Sequence, residues 1–208
     1  MSEPMTTIRP VSTSKKRLLM TETAQMALQG FGRGVELDCI TFGKFSIIDA
    51  IAATLQITGP AKVTVSTWTA AMFDIHQLFA MFTNGTITDF RFIVDRGFVT
   101  CCPPQFSQKV KELFGDEAIR TAATHAKFVL IENDEWSVVI RTSMNLNHNA
   151  RIEYMQVTDS RELLEFYETV CQKIFDEEPG LSNRKKPTKS KITQNPFKPL
   201  GFSFKPLK

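Results

Sequence analysis

Apolar and polar positions switch between two periods along this chain, and the switches mark out its elements. From Ser46, SIIDAIAATLQI sets Ile47, Ile48, Ile51 and Leu55 on one stripe at helical spacing. Ser46 with Asp49 three residues on has the form of a capping box, and Gly59-Pro60 ends the helix. KVTVSTW (62–68) alternates and is β-branched, which predicts a strand. Residues 70–83 return to helical spacing with Met72, Ile75, Phe79 and Phe82; Asn84-Gly85 stops them, and TDFRFIVD (88–95) is strand again. Strand, helix and strand in succession predict a right-handed crossover between parallel strands.

Pro103-Pro104 opens a helix through Phe114, with Phe106, Val110, Leu113 and Phe114 on its buried side. A short strand at 118–121, a hairpin beyond residue 125, a strand at 153–157 and a helix from 159 or 160 to 175 complete the pattern. Strands alternating with helices on two faces imply an α/β fold, here a mostly parallel mixed sheet flanked by helices on both faces. Residues 19–42 are less regular and predict only a short helix or strand. The polar, Ser/Thr/Pro-rich residues 1–18 read as an unpacked, disordered arm, and residues 19–178 as the domain. Prolines at 179, 187, 196, 199 and 206 exclude regular structure, so 179–208 reads as a disordered, basic tail.

Chemistry concentrates in residues 125–153, HAKFVLIENDEWSVVIRTSMNLNHNARIE. In an extended strand i and i+2 share a face, so His125 and Lys127 project together, a nucleophile or acid beside a phosphate clamp. Ser143 and Asn145 repeat that spacing after the apolar run 136–140. Read as a hairpin, the stretch brings all four to one mouth, with Glu153 close behind in sequence.

The order His-x-Lys, an acidic residue, Ser-x-Asn and a later carboxylate resembles the signature of the phospholipase D superfamily. His125, Lys127, Ser143, Asn145 and Glu153 match the motif residue by residue; Glu132 or Asp134 takes the acidic position, and Thr142 stands where the family has Gly. The resemblance implies a metal-independent phosphodiesterase that needs no cofactor. One His attacks phosphorus to give a phosphohistidine, a second protonates the leaving oxygen, and water releases the intermediate. Lys127 and Asn145 would hold the phosphoryl oxygens, Ser143 would add a hydrogen bond, and Glu153 would orient an imidazole. The chain has one His-x-Lys, since His76 and His148 lack a Lys two residues on. The second His is therefore expected from another copy, in a homodimer.

Charge narrows the substrate. The net charge of +3 hides eight Lys and Arg and no acid in residues 179–208, against a net of −5 for the rest. Such a tail neutralises phosphates without regard to sequence, which favours nucleic acid, DNA or RNA, and a non-specific nuclease. Lys185 and Lys186 are its expected phosphate contacts. In α/β sheets ligands lie outside strand ends, so Thr67 and Trp68, which close the 62–68 strand, are expected to touch substrate; Trp68 would stack a base or pack at the rim. A non-catalytic nucleic-acid-binding protein of the same fold and a phospholipid hydrolase or transferase are the alternatives. Phe-Lys-Pro-Leu occurs at 197–200 and 204–207, which makes the tail a docking peptide for a protein partner, a nucleic-acid arm or a solubilising segment.

Cysteines at 39, 101, 102 and 171 lack Cys-x-x-Cys spacing, which points away from zinc and disulfides toward reduced thiols in the cytoplasm. No apolar run approaches the ~18 residues of a membrane span, so no membrane insertion is expected.

Overall fold

A computed structural model describes residues 14–19, 21–98, 104–178 and 180. The elements run β1 (Ser14–Leu19), α1 (Ala24–Leu28), β2 (Val35–Thr41), α2 (Ile47–Thr58), β3 (Ala61–Thr67), α3 (Met72–Thr83), β4 (Ile87–Asp95), α4 (Pro104–Phe114), β5 (Ile119–Ala122), β6 (Phe128–Glu132), β7 (Ser137–Thr142), β8 (Glu153–Asp159) and α5 (Arg161–Glu177). All eight strands join one sheet in the order β1-β2-β8-β7-β6-β3-β4-β5.

The α/β class holds, and the sheet is mixed. β1–β2, β3–β4 and β4–β5 pair in parallel, while β2–β8, β8–β7, β7–β6 and β6–β3 pair antiparallel. Six of the eight strands therefore run the same way and β6 and β8 run against them, the mostly parallel mixed sheet that the pattern predicts. The β6–β7 hairpin and the return into β8 are short connections, and short connections reverse the chain; strands joined through a helix run parallel.

Helices cover both faces. Leu37, Val63, Val65, Phe92, Val129, Ile131, Ile140 and Val157 face one way, into a core shared with Leu28, Ile48, Ile51, Ile75, Leu78 and Val110 of helices α1 to α4. Ile93, Phe128, Leu130 and Val139 face the other way, beneath Leu164, Cys171 and Ile174 of α5. Period 2 in the strands and period 3.6 in the helices create this division.

The predicted capping box is present: the Ser46 backbone N–H donates to Asp49 Oδ2 at 2.8 Å. The region before residue 45 supplies more than one short element, namely β1, α1 and β2. Residues 14–18 of the expected unpacked arm are sheet-bound in β1, which pairs with β2 from Ser14↔Val35 to Leu19↔Ile40. Alternating Lys15 and Arg17 make β1 a charged edge, and such a strand carries little apolar signal. The expectations for residues 1–13 and for the tail from 181, including Lys185 and Lys186, lie outside the described residues. Among the described residues, no helix is long and apolar enough to cross a membrane.

Candidate active site

The motif residues meet at one end of the sheet. Residues 124–127 lead into β6 before its ladder begins, and four hydrogen bonds fix them. Ser66 Oγ donates to Ala126 O (2.9 Å), Thr124 N to Asp95 Oδ2 (3.1 Å), Ala126 N to Thr124 Oγ1 (3.1 Å) and Thr142 N to Lys127 O (3.2 Å). The segment is thus held by β3, β4 and β7 at once. His125 and Lys127 share a side as their spacing predicts: Lys127 Nζ lies 3.2 Å from His125 Nδ1 and 3.1 Å from His125 O.

An ammonium has no lone pair. In the Lys127–His125 contact Nδ1 is therefore the acceptor. Partial burial pushes the Lys127 ammonium below its ordinary pKa, and the Glu153 charge opposes that shift. Lys127 is thus a cation short of solvent and close to one carboxylate, a state that an incoming phosphate relieves.

Across the hairpin, β7 ends at Thr142, and Ser143 turns toward β8. Ser143 Oγ donates to Glu153 Oε2 and accepts from Tyr154 N at 3.0 Å. Glu153 is therefore tied to Ser143, and no hydrogen bond joins it to His125 among the described residues. Thr142, where the resemblance expects Gly, is buried; its hydroxyl donates to Tyr154 O (2.7 Å) and accepts from Met144 N (3.0 Å). It closes the strand end by side-chain bonds.

The loop carrying Asn145 rests on the end of β3. Leu146 N reaches Thr69 O (3.2 Å) and Thr67 Oγ1 (3.1 Å), and Ala71 N donates to Leu146 O at 2.7 Å. Thr67 is buried, and its hydroxyl proton is shared between Thr69 O (2.8 Å) and Asn145 Oδ1 (3.4 Å). The expectation that Thr67 touches substrate is corrected: its oxygen is consumed in holding this loop. Trp68 stands beside it, half-exposed, with its ring centroid 5.7 Å from that of His125 and tilted by 44°.

Neither acid proposed for the motif's acidic position reaches the mouth. Glu132 ends β6 at the opposite end of the hairpin, where it accepts from Arg161 Nη1 at 2.7 Å, and Asp134 is exposed in the turn. Residues that sequence reasoning left unassigned support the site instead. Asp95 ends β4 and takes both Thr124 N and Gly97 N. A lone Asp at a strand end gives no signal until the strand order sets it beside residue 124.

Beneath the Asn145 loop, Asp74 in the first turn of α3 is buried, and its Oδ2 has no hydrogen-bond partner. Burial, then the Asp49 charge, raises its pKa, and His148 in the loop opposes the rise. Among the described residues, no three His, Cys, Asp or Glu side chains gather as a metal ion would need.

The phosphatidylserine synthase of Haemophilus influenzae is similar in structure, with a TM-score of 0.50 and 16% identity over 71% of this chain and 40% of its own. Nuc from Salmonella typhimurium, a phospholipase D family member, matches over 71% of this chain and 98% of its own (TM-score 0.47, 13% identity). NucT from Helicobacter pylori matches over 70% and 99% (TM-score 0.46, 12% identity). The fold is phospholipase D-like. No protein-family model matches the chain, and no curated protein sequence is similar to it. In this phospholipase D-like domain the mouth lies where β3 and β4 end and where the β6–β7 hairpin opens.

Proposed function

We propose that this protein is a metal-independent phosphodiesterase, a nuclease of low sequence specificity that works as a homodimer through a phosphohistidine. One observation carries the reading: His125 and Lys127 are in contact at the mouth where Ser143, Asn145 and Glu153 also converge. A phosphodiester gathers negative charge on its non-bridging oxygens as it reacts, so the site needs a nucleophile and fixed donors around one point. Lys127 and the Asn145 amide are those donors, and Ser143 holds Glu153 in place.

The two imidazoles must differ: the one that attacks needs its Nε2 lone pair free, and the one that gives a proton is the imidazolium. Bound phosphate draws Lys127 Nζ to a phosphoryl oxygen and frees Nδ1. A carboxylate can then accept from Nδ1–H and leave the Nε2 lone pair free, and Glu153 is the carboxylate whose charge acts on Lys127. In the dimer, Nε2 of one His125 attacks phosphorus. The phosphorus–oxygen bond to the leaving group breaks, and that oxygen takes the Nε2 proton of the other His125, which enters as imidazolium and is left as neutral imidazole. Water then attacks phosphorus, gives its proton to the second imidazole, and the phosphorus–nitrogen bond breaks.

Substrate choice rests on the phosphodiester chemistry and on the cationic tail, whose eight Lys and Arg suit a polyanion. The test is incubation of purified protein with labelled DNA and RNA in EDTA. Cleavage by the wild type and none by His125→Ala supports the reading. Tight binding without cleavage would replace it with a non-catalytic role.

A further inference from the structure

Phe-Lys-Pro-Leu stands twice beyond the domain, at 197–200 and 204–207, and the phosphodiester chemistry uses neither copy. The domain carries two apolar grooves, one on each side of α2. Met26, Leu28, Phe31, Ala53 and Ile57 line the groove between α1 and α2, about 420 Å³ in volume. Ala52, Leu55, Pro60 and Met81 line the groove between α2 and α3, about 440 Å³. Gln56 stands at the rim of both. Both volumes fall within the roughly 300–1,000 Å³ of pockets that bury a ligand. Met26, 52% exposed, and Ile57, 38% exposed, are open apolar side chains of the kind that mark a docking surface.

The repeated unit suits these grooves. Phe and Leu are anchors for apolar walls, and Pro pre-sets an extended backbone between them and brings no N–H to satisfy. Lys has a place as well. Gln56 and Ile57 belong to the last turn of α2 and Met81 to the last turn of α3. Neither helix has a basic residue in that turn, so the negative end of each helix dipole lacks a cation of its own. The clefts along α5 differ. Lys62, Arg91 and Glu168 line one, and Glu165, Asp176 and Glu177 line another, so seating Phe or Leu there would strip water from charged groups.

We infer that residues 197–207 dock on the helical face of their own domain, the first Phe-Lys-Pro-Leu in the α2–α3 groove and the second in the α1–α2 groove. Chain length and point of departure fix this order. Gly180 lies against Asp116, between α4 and the edge strand β5, and the helices adjoin one another in the order α1, α2, α3, α4. A segment leaving there meets the α2–α3 groove first. Phe197 is 17 residues beyond Gly180, a reach of roughly 55 Å, which exceeds the roughly 40 Å width of a domain of this size. Phe204 is seven residues beyond Phe197, up to roughly 23 Å, enough to cross one helix of about 10 Å. The inference stands apart from the phosphodiesterase reading, since neither groove includes a residue of the mouth.

Each groove contains one methionine that can report on it, Met26 in one and Met81 in the other. The experiment exposes the full chain to dilute hydrogen peroxide and follows sulfoxide formation at each residue by mass spectrometry. Phe197→Ser with Leu200→Ser is expected to speed oxidation of Met81 alone, and Phe204→Ser with Leu207→Ser that of Met26 alone. Each rise should be at least about five-fold, because tethering sets an effective concentration on the order of millimolar that keeps even a weak site mostly filled. Met155, 1% exposed, should stay slow in every variant and so reports that the core remains folded. These variants keep all eight Lys and Arg of residues 179–208, so loss of charge plays no part. Unchanged rates at both methionines in the four-fold Ser variant overturn the inference and leave the repeat to nucleic acid or another protein. Protection that fades on ten-fold dilution overturns it too, because the occupant is then a second copy. Faster oxidation of Met26 on loss of the first unit contradicts the assigned order.

Discussion

The Ser66 hydroxyl donates to the carbonyl of Ala126 at 2.9 Å, which ties the residue between His125 and Lys127 to the neighbouring strand. The two side chains on either side of that carbonyl inherit their height above the sheet from one hydrogen bond. Ser66→Ala leaves a partly buried acceptor without its donor, at a cost of about 1 kcal/mol, or roughly 2–4 °C in Tm for a domain of this size. Turnover should fall with KM little changed, because the loosened group is the reacting one. Melting and steady-state kinetics of Ser66→Ala and Ser66→Thr check this, with Thr expected to keep more activity.

Gly43 makes the second tether. Its φ is +72°, and a Cβ there would lie 2.6 Å from Asn149 O and against Ala150 Cα, both backbone and unable to swing aside. The loop between Asn145 and Glu153 is therefore pressed onto the β2–α2 turn. Gly43→Ala is expected to cost about 2 kcal/mol or more, seen as a lower denaturant midpoint, and to depress turnover by moving Asn145.

Lys127 joins function to a cost in stability. Its folded pKa lies below its ordinary value of 10.5, so the unfolded chain holds the proton more tightly. Wild-type stability should therefore rise as pH climbs through the folded pKa toward that value, as the cost of the charge is lifted. Lys127→Met should lose turnover, melt no lower than wild type near neutrality, and lack that rise. Thermal melts from neutral to alkaline pH, taken as wild type minus variant, isolate the difference.

Asp74 works at the acid end. Its folded pKa is raised above 3.8, so its contribution is best while protonated in both states and is lost as pH rises from that value through the folded pKa. Asp74→Asn should be more stable than wild type at neutral pH, and the advantage should vanish toward acid. Melts of both proteins across the acid range test it. An Asn variant that is less stable at neutral pH would mean the carboxylate has a partner that favours its charge.

Much of this architecture was legible in the sequence because the informative residues are local. The α2 stripe with its Ser46 cap, the alternation of 62–68 and the i, i+2 spacing of His125 and Lys127 act over a few residues, and each has its expected place. What stayed hidden depends on strand order. Thr67 ends a strand and looked free to meet a ligand, yet the Asn145 loop folds back onto its hydroxyl. Glu132 sits at the right spacing for the motif's acid, yet the hairpin carries it to the far end of the sheet, to Arg161. Asp95 acquires meaning only when the end of β4 is set beside residue 124. The β6–β7 hairpin and the helix-linked crossovers are visible locally, whereas the antiparallel pairing of β3 with β6 across 60 residues is not.

The central claim is that His125 becomes the phosphorylated residue, and trapping that residue tests it most directly. Wild-type chain is mixed in EDTA with an oligonucleotide bearing labelled internal phosphate, quenched in alkali, where a phosphoramidate survives, and digested for mass spectrometry. The label is expected on the peptide containing His125 and absent from His125→Ala, which should also fail to turn over. Label on another residue, or near wild-type cleavage by His125→Ala in EDTA, would contradict the account.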